Sequence, residues 1–232
     1  MQQPGQQNYM AYDRTIVVFS PEGRLLQVEY ARQAVKRGST SLGIRTKDSV
    51  VIATTKIAAP LAVLQSYKVF EVDNHIGIVS SGLLADARDL AEMARIKAQI
   101  NKITYGESIS VSSLTRYICD RKHVVTQYAG VRPYGVGLLI GGIDEKGTRL
   151  YETDPSGTMI EWNAHAIGRG AEKATKVLEK SYSEDMSTED GIGLILKALR
   201  TGEKEEAESV EVAVIDKSGF RALSQAEIKK LG

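Results

Sequence analysis

The sequence predicts an α+β fold in which two antiparallel β-sheets lie face to face and pairs of helices cover their outer sides. Three observations predict it. The strand-like runs come as hairpins rather than singly between helices, and the helical runs come in adjacent pairs. The chain, 232 residues at 42% hydrophobic and 25% charged, is long enough for one sizeable core, and no Pro/Gly/Ser-rich linker divides it. A single domain over residues 13–232 is therefore expected, preceded by a tail.

Met1 to Ala11 is polar and Gln-rich, with Pro4 and Gly5, and holds too few apolar groups to offset its ordering entropy. A mobile tail is expected there. Thr15 to Phe19 is a short β-branched and aromatic run, and at Ser20-Pro21-Glu22 the period changes. A hydroxyl N-cap, a proline at the first helical position and an acid in the first turn predict a helix over 20–37. Gly38 closes it in the C-cap role, with Lys36 and Arg37 set favourably against the helix dipole. Leu25, Val28, Arg32 and Val35 form one stripe and Leu26, Tyr30 and Ala34 the next, so the apolar face is broad. Either the domain's own sheet or a neighbouring copy of the chain would cover it.

Ser39 to Arg45 and Ser49 to Thr55 then read as a hairpin, and Val69 to Val72 and His75 to Ser80 as another across Asp73-Asn74. Gly82 to Lys102 has helical spacing at Leu83, Ala87, Leu90, Ala94 and Ala98, and a second helix covers Val111 to Tyr128 with Leu114, Ile118 and Val125 on one side. Short strands follow at Tyr134 to Asp144, Arg149 to Thr153, Thr158 to Trp162 and Ala164 to Ile167, separated by the turns Glu145-Lys146-Gly147 and Asp154-Pro155-Ser156-Gly157. Two more helices, Gly170 to Tyr182 and Thr188 to Arg200, come next, the latter with Ser187 as N-cap. After an acidic loop, Glu203 to Glu208, a strand at Val210 to Ile215, a short strand near Phe220 and a helix from Ser224 close the chain.

Several function classes are disfavoured at once. Lys+Arg 30 against Asp+Glu 29 gives no positive field for nucleic acid. The single cysteine, Cys119, excludes an intramolecular disulfide and a cysteine-based zinc cluster. No signal peptide and no apolar run near the roughly 20 residues of a membrane span can be read, so a soluble, cytoplasmic chain with no membrane partner is expected. His75, His123 and His165 lack metal-ligand spacing and read as surface or hydrogen-bonded histidines, so neither a metal nor a cofactor is expected. Gly141-Gly142 lies in a strand and reads as close backbone packing rather than a dinucleotide loop. Asp86, Arg88, Asp89 and Glu92 form a charged helix face, either solvated or, through Asp86 and Arg88, in contact with a neighbouring copy.

YDR from Tyr12, FSPEGRLLQVEYA and AVKRGST run almost continuously from Tyr12 to Thr40, and with SGLLADAR at 81–88, GVRPYGVGLL at 130–139 and DPSG at 154–157 they resemble the proteasome α-type subunits, those of archaea most. The resemblance spans essentially the whole chain. It implies the four-layer αββα sandwich of the N-terminal-nucleophile hydrolases, and a non-catalytic member of a homo-heptameric α ring that stacks on proteasome β subunits. It further implies that residues 1–12 gate the entry of unfolded protein substrates, with Tyr12, Asp13, Pro21 and Tyr30 as the cluster that holds the gate open. Lys68 matches the lysine that pairs with the C-terminal carboxylate of a regulatory AAA ATPase tail, against the plainer reading of a strand-end surface lysine. Tyr128, Ala129, Gly130 and Val131 match the loop that narrows the pore. Ala129 stands where glycine is commoner, and TTKIAAPLAVL at 54–64 is short and apolar where the family is charged.

The catalytic chemistry of that fold needs a nucleophile whose own free amine is the base. Ser39 stands where the family's catalytic β subunits carry their threonine, but a capped helix precedes it, and Lys56 is a loose candidate for the lysine such a site needs. The alternative to a silent α-type chain is an active β-type hydrolase, which requires a free N-terminal Ser39. A third reading, a ring scaffold independent of any ATPase, would show as failure to bind β subunits.

Overall fold

The computed structural model describes residues 17–56, 61, 67–202 and 209–231. The tail 1–12, Tyr12 and Asp13, most of the apolar stretch 54–64, and the acidic loop 203–208 lie outside the described residues. Among the described residues, ten strands form two five-stranded antiparallel sheets. One sheet contains β1 (Ser41–Arg45), β2 (Val50–Lys56), β8 (Ala164–Ile167), β9 (Ser209–Asp216) and β10 (Gly219–Ala222), in the order β10-β9-β2-β1-β8. The other is a meander of β3 (Val69–Asp73), β4 (Ile76–Gly82), β5 (Val136–Asp144), β6 (Gly147–Thr153) and β7 (Met159–Glu161) in sequence order.

Helices α1 (Leu26–Arg37), α2 (Leu84–Tyr105), α3 (Val111–Val125), α4 (Ala171–Ser181), α5 (Thr188–Gly202) and α6 (Gln225–Leu231) complete the described elements. Three apolar layers hold the sandwich. Val50, Ile52, Val79, Leu139, Leu150, Ala213 and Ile215 meet between the sheets. Leu42, Ile44, Val51, Val212 and Val214 face the other way, onto Leu178 of α4, Ile195 and Leu199 of α5 and Ile228 of α6. Ile76, Ile78, Leu138 and Ile140 pack on Leu90 and Ala94 of α2 and on Leu114 and Ile118 of α3. The alternation of inward and outward residues along β2 and β5 serves both layers at once, which is why these strands are apolar on both faces. The two stacked sheets, the helix pairs and the αββα layering follow the sequence reading.

Element ends differ by a few residues, and the first helix differs for a reason. Ser20 does not cap a helix. Its amide and carbonyl close a tight turn with Arg24 and Gly23 at 2.9 and 2.8 Å, and its hydroxyl accepts from the Arg24 amide at 3.2 Å. Gly23 sits at φ 75°, where a right-handed helix cannot continue, so α1 starts one turn later at Leu26. Val17 to Phe19 is not a strand. At the other end Gly38 is extended rather than left-handed, and its amide still closes the helix on Ala34 and Val35. Asp86, read as part of a charged face, is buried, while Arg88, Asp89 and Glu92 are exposed. Val28 and Ala31 of α1 are buried and Val35 lies over Gly137 of β5, so the helix packs on its own sheet, yet Tyr30 and the preceding Phe19 stay 51% and 63% exposed.

Between the sheets, a Cβ added at Gly43 would stand 2.7 Å from Leu150 Cδ1. Gly43→Ala should therefore destabilise by about 1–3 kcal/mol through overpacking, and Leu150→Ala by about 2–5 kcal/mol through the cavity it leaves. Because the two changes compensate in volume, denaturant unfolding of the double variant should show a loss smaller than the sum of the single losses.

Candidate functional site

The junction between α1 and β1 gathers the polar groups of the sandwich. The Gly38 carbonyl accepts from the Arg169 amide at 2.9 Å, and the Ser81 hydroxyl donates to the carbonyls of Ser39 and Val35 at 2.9 and 3.1 Å. A row of buried hydroxyls continues inward: Ser41 Oγ donates to Ser80 O and Thr54 Oγ1 at 2.8 Å each, Thr54 Oγ1 donates to Thr40 O at 3.1 Å, and Thr40 Oγ1 accepts from the Gly170 amide at 2.9 Å. Neutral hydroxyls of this kind satisfy backbone groups where two sheets and a helix terminus converge.

Lys68 enters this junction from the start of β3. Its ammonium donates to Ser39 Oγ and, at 3.4 Å, to Thr55 O. Glu211 of β9 accepts the amides of Lys68 and Val69 on one carboxylate oxygen, at 3.0 and 3.3 Å, and so fixes where β3 begins. The lysine at Ser39 is therefore Lys68. Lys56, the loose sequence candidate, ends β2, and its side chain lies outside the described residues. Lys68 is also half-buried rather than a solvated strand-end lysine. A base role for the Ser39 nitrogen requires a free amine there.

The loop from Thr126 to Gly135 is anchored by charge. Arg132 binds Asp86 with both guanidinium ends, at 2.6 and 2.8 Å, and the Gly135 amide adds a third bond to Asp86 at 2.8 Å. Burial opposes ionisation of Asp86, but the hydrogen bonds from Arg132 and Gly135 outweigh it and hold its pKa below the usual carboxylate range. Tyr134 donates to Asp89 at 3.1 Å. Beneath the loop, the wholly buried Lys122 donates to Val136 O, Thr153 O and Thr153 Oγ1 at 2.9, 3.3 and 2.7 Å. Tyr128, Ala129, Gly130 and Val131 form the exposed tip between these anchors, with Gly130 at φ 88°.

The turn at Asp154 binds α1. Arg32 donates to Asp154 Oδ2 through Nε and Nη2 at 3.0 and 2.7 Å and to Glu29 at 2.9 Å. Of the sequence-derived gate cluster, Pro21 lies exposed in the turn before α1 and Tyr30 exposed on the helix itself. Two of the three histidines take structural partners, and His123 is exposed: His75 Nε2 lies 2.8 Å from Ile109 O, while His165 stacks on Trp162 at 4.2 Å and pairs with Glu152 at 3.2 Å. Gly141 and Gly142 are close-approach positions, where a Cβ would meet Val50 Cγ1 at 2.6 Å and His75 O at 2.5 Å. Among the described residues no group of three His, Cys, Asp or Glu is placed to hold a metal ion, and no helix is long and apolar enough to cross a membrane.

Comparison with known proteins matches residues 35–215 to the proteasome subunit family and residues 12–34 to the N-terminal signature of A-type proteasome subunits. The chain belongs to the proteasome subunit family. Among its relatives, the proteasome alpha subunit of Methanopyrus kandleri is 50% identical over 95% of this chain and 92% of its own length. That of Methanothermobacter thermautotrophicus is 50% identical over 94% and 90%, and that of Pyrococcus horikoshii 50% over 94% and 86%. The chain is thus of the proteasome α type, and the α-type signature covers the turn at Ser20 to Arg24 and most of α1.

Sequence reasoning missed three contacts: Lys68 with Ser39, Asp86 with Arg132, and Lys122 with the start of β5. The first two join residues 29 and 46 positions apart, beyond any local pattern. Lys122 did carry a signal, since it stands on the helical stripe Leu114, Ile118, Val125 where an apolar residue belongs.

Asp86→Asn should destabilise the protein by about 1.5–3 kcal/mol at neutral pH, the range for hydrogen bonds to a charged group. Its folded pKa lies below its unfolded value, so this contribution is complete above the ordinary aspartate pKa and is lost as pH falls through the folded one. Unfolding free energies of the two proteins should therefore converge on acidification below about pH 4.

Proposed function

We propose that this proteasome α-type chain is catalytically silent, forms a homo-heptameric ring stacked on β subunits in the cytoplasm, and controls the entry of unfolded proteins into the chamber they enclose. The observation that carries the silent reading is the packing of α1 and Gly38 against the domain immediately ahead of Ser39. The helix buries Val28 and Ala31 against the domain, and its closing glycine fits against Gly82 without room for a Cβ, so it is a working part of the fold rather than a discarded leader. Catalysis would then lie with the β partner. The Ser39–Lys68 contact is what the alternative, a β-type hydrolase, would also use, but that alternative requires a free amine at Ser39.

In this reading residues 1–12 are the gate tail of a single domain over 13–232, and Pro21 and Tyr30, with Tyr12 and Asp13, hold the gate open. Pro21 fixes the backbone where the tail leaves the domain, and Tyr30 presents a hydroxyl on an exposed helix face, as a contact to a neighbouring copy requires. Residues 128–131 line the pore as an exposed tip on rigid anchors. Lys68 docks the C-terminal carboxylate of a regulatory AAA ATPase by a charge-assisted bond. A half-buried ammonium at the junction of β1 and β3 suits that role, because its low-dielectric surroundings strengthen such a bond and its hydroxyl contact limits its rotamers.

Deletion of residues 1–12 should raise the rate at which the assembled α–β particle hydrolyses a fluorogenic peptide, by admitting substrate that the tail excludes; an unchanged rate sinks the gate. Lys68→Ala should weaken activation by the ATPase by about 1.5–3 kcal/mol, roughly ten- to hundredfold in activator affinity. Titration of peptide hydrolysis with the ATPase checks this, and an unaltered midpoint removes Lys68 from the docking site.

A further inference from the structure

Lys122 heads the large side chains that are wholly withdrawn from solvent, and it is a cation. It occupies a core position of α3, one turn after Ile118. Its three hydrogen bonds go to Val136 O, Thr153 O and Thr153 Oγ1, all of them neutral oxygens. The carboxylates that face it are committed elsewhere. Asp86 of α2 is bound by Arg132, Glu152 of β6 by His165 and Trp162, and Asp154 after β6 by Arg32 of α1. Cys119, one turn back on α3, is pushed up to about 11 by burial and remains a thiol. Asp120, Arg121 and His123, its immediate neighbours on α3, are exposed, and β5 presents only the Val136 carbonyl.

A buried charge held by dipoles alone is costly, because the lost hydration is only partly replaced. Burial pushes the Lys122 ammonium down to about 8 from 10.5. Hydrating it requires parting the last turn of α3 from Val136, the first residue of β5. Those are the two ends of the loop from Thr126 to Gly135. Lys122 is withdrawn from solvent while that seam is closed, the seated state of the loop.

We propose that Lys122 is a positioning residue for the candidate pore loop, whose buried hydrogen bonds join the loop's two ends and whose proton, costly to hold in the seated state, favours their separation. The proposal rests on residues 128–131 being the pore loop only for its functional consequence; the latch itself is a property of the fold. The sign follows from proton counting. Seated, the group binds a proton only below about pH 8, and opened to water it binds one up to about pH 10.5. Between those values the opened state carries more protons, so raising pH favours the seated loop, the proton leaving to solvent. From pH 7 to pH 9 the opening equilibrium falls about tenfold on these values.

Hydrogen exchange of the full-length assembled ring, corrected for the intrinsic pH dependence of amide exchange, reads this directly. In the native protein the protection of amides 126–136 should rise about tenfold between pH 7 and pH 9, while in Lys122→Met it should not respond. If Lys122→Met does not fold, Thr153→Val replaces it: loss of one acceptor should move the response to lower pH. A native loop without the pH response, or a variant that keeps it, overturns the latch. Peptide hydrolysis by the assembled particle separates the two readings. If exchange behaves as expected while the ratio of native to variant hydrolysis rates is the same at both pH values, the latch stands and the pore role of the loop falls.

Discussion

The close approach of Gly38 to Gly82 is the constraint on which the rest of the molecule depends. A Cβ at residue 38 would stand 2.3 Å from the Gly82 amide nitrogen, so only glycine lets α1 end directly against the end of β4, an interior strand of the meander sheet. The Arg169 amide and the Ser81 hydroxyl then seal the carbonyls on either side. From this fixed point β1 departs between β2 and β8, α1 is laid across β4 and β5, and Ser39 is left as an internal residue. The fold thus joins α1 to β1 through a close backbone approach, and that junction is the one a self-cleaving hydrolase would have to open.

Much of this architecture is legible in the sequence because period and turn chemistry agree along most of the chain. β8 is read residue for residue, and the N-cap of α5 is the Ser187 expected, its hydroxyl accepting the Asp190 amide at 3.1 Å. The helix start at Ser20 fails because two local signals compete. Ser-Pro-Glu favours a first turn, but Gly23 adopts a left-handed conformation and the Ser20 hydroxyl closes a separate turn on Arg24. The same residues N-cap a helix or cap a turn with similar bonds, and the decision rests on backbone two residues on.

The candidate site was legible in its motifs and illegible in its contacts. The hydroxyls of Ser39 to Ser41 leading into β1 and the lysine at the head of β3 can be read separately, but that they meet depends on how the two sheets stack, which period alone does not fix. Asp86 shows the cost of reading charge by local pattern: among four charged residues on one helix face, three are solvated and one is withdrawn to hold Arg132 and Gly135. The difference is made by a partner 46 positions away.

The three placed charges also divide the work of the molecule by their surroundings. Asp86 has an ionised partner and a backbone donor, so it remains charged at any working pH and acts as a fixed anchor. Lys68 meets a hydroxyl and a carbonyl and is half-buried. Lys122 meets only neutral oxygens in the interior, and no counter-charge is in contact to stabilise its ammonium. Both Asp86 and Lys122 hold the same ten-residue loop, one at its return limb and one beneath its two ends. A loop secured only by the first would be rigid, and one secured only by the second would open more readily as pH falls. Together they confine any opening to the seam between α3 and β5 while Arg132 stays bound, so the exposed tip can shift without the loop leaving its seat on α2.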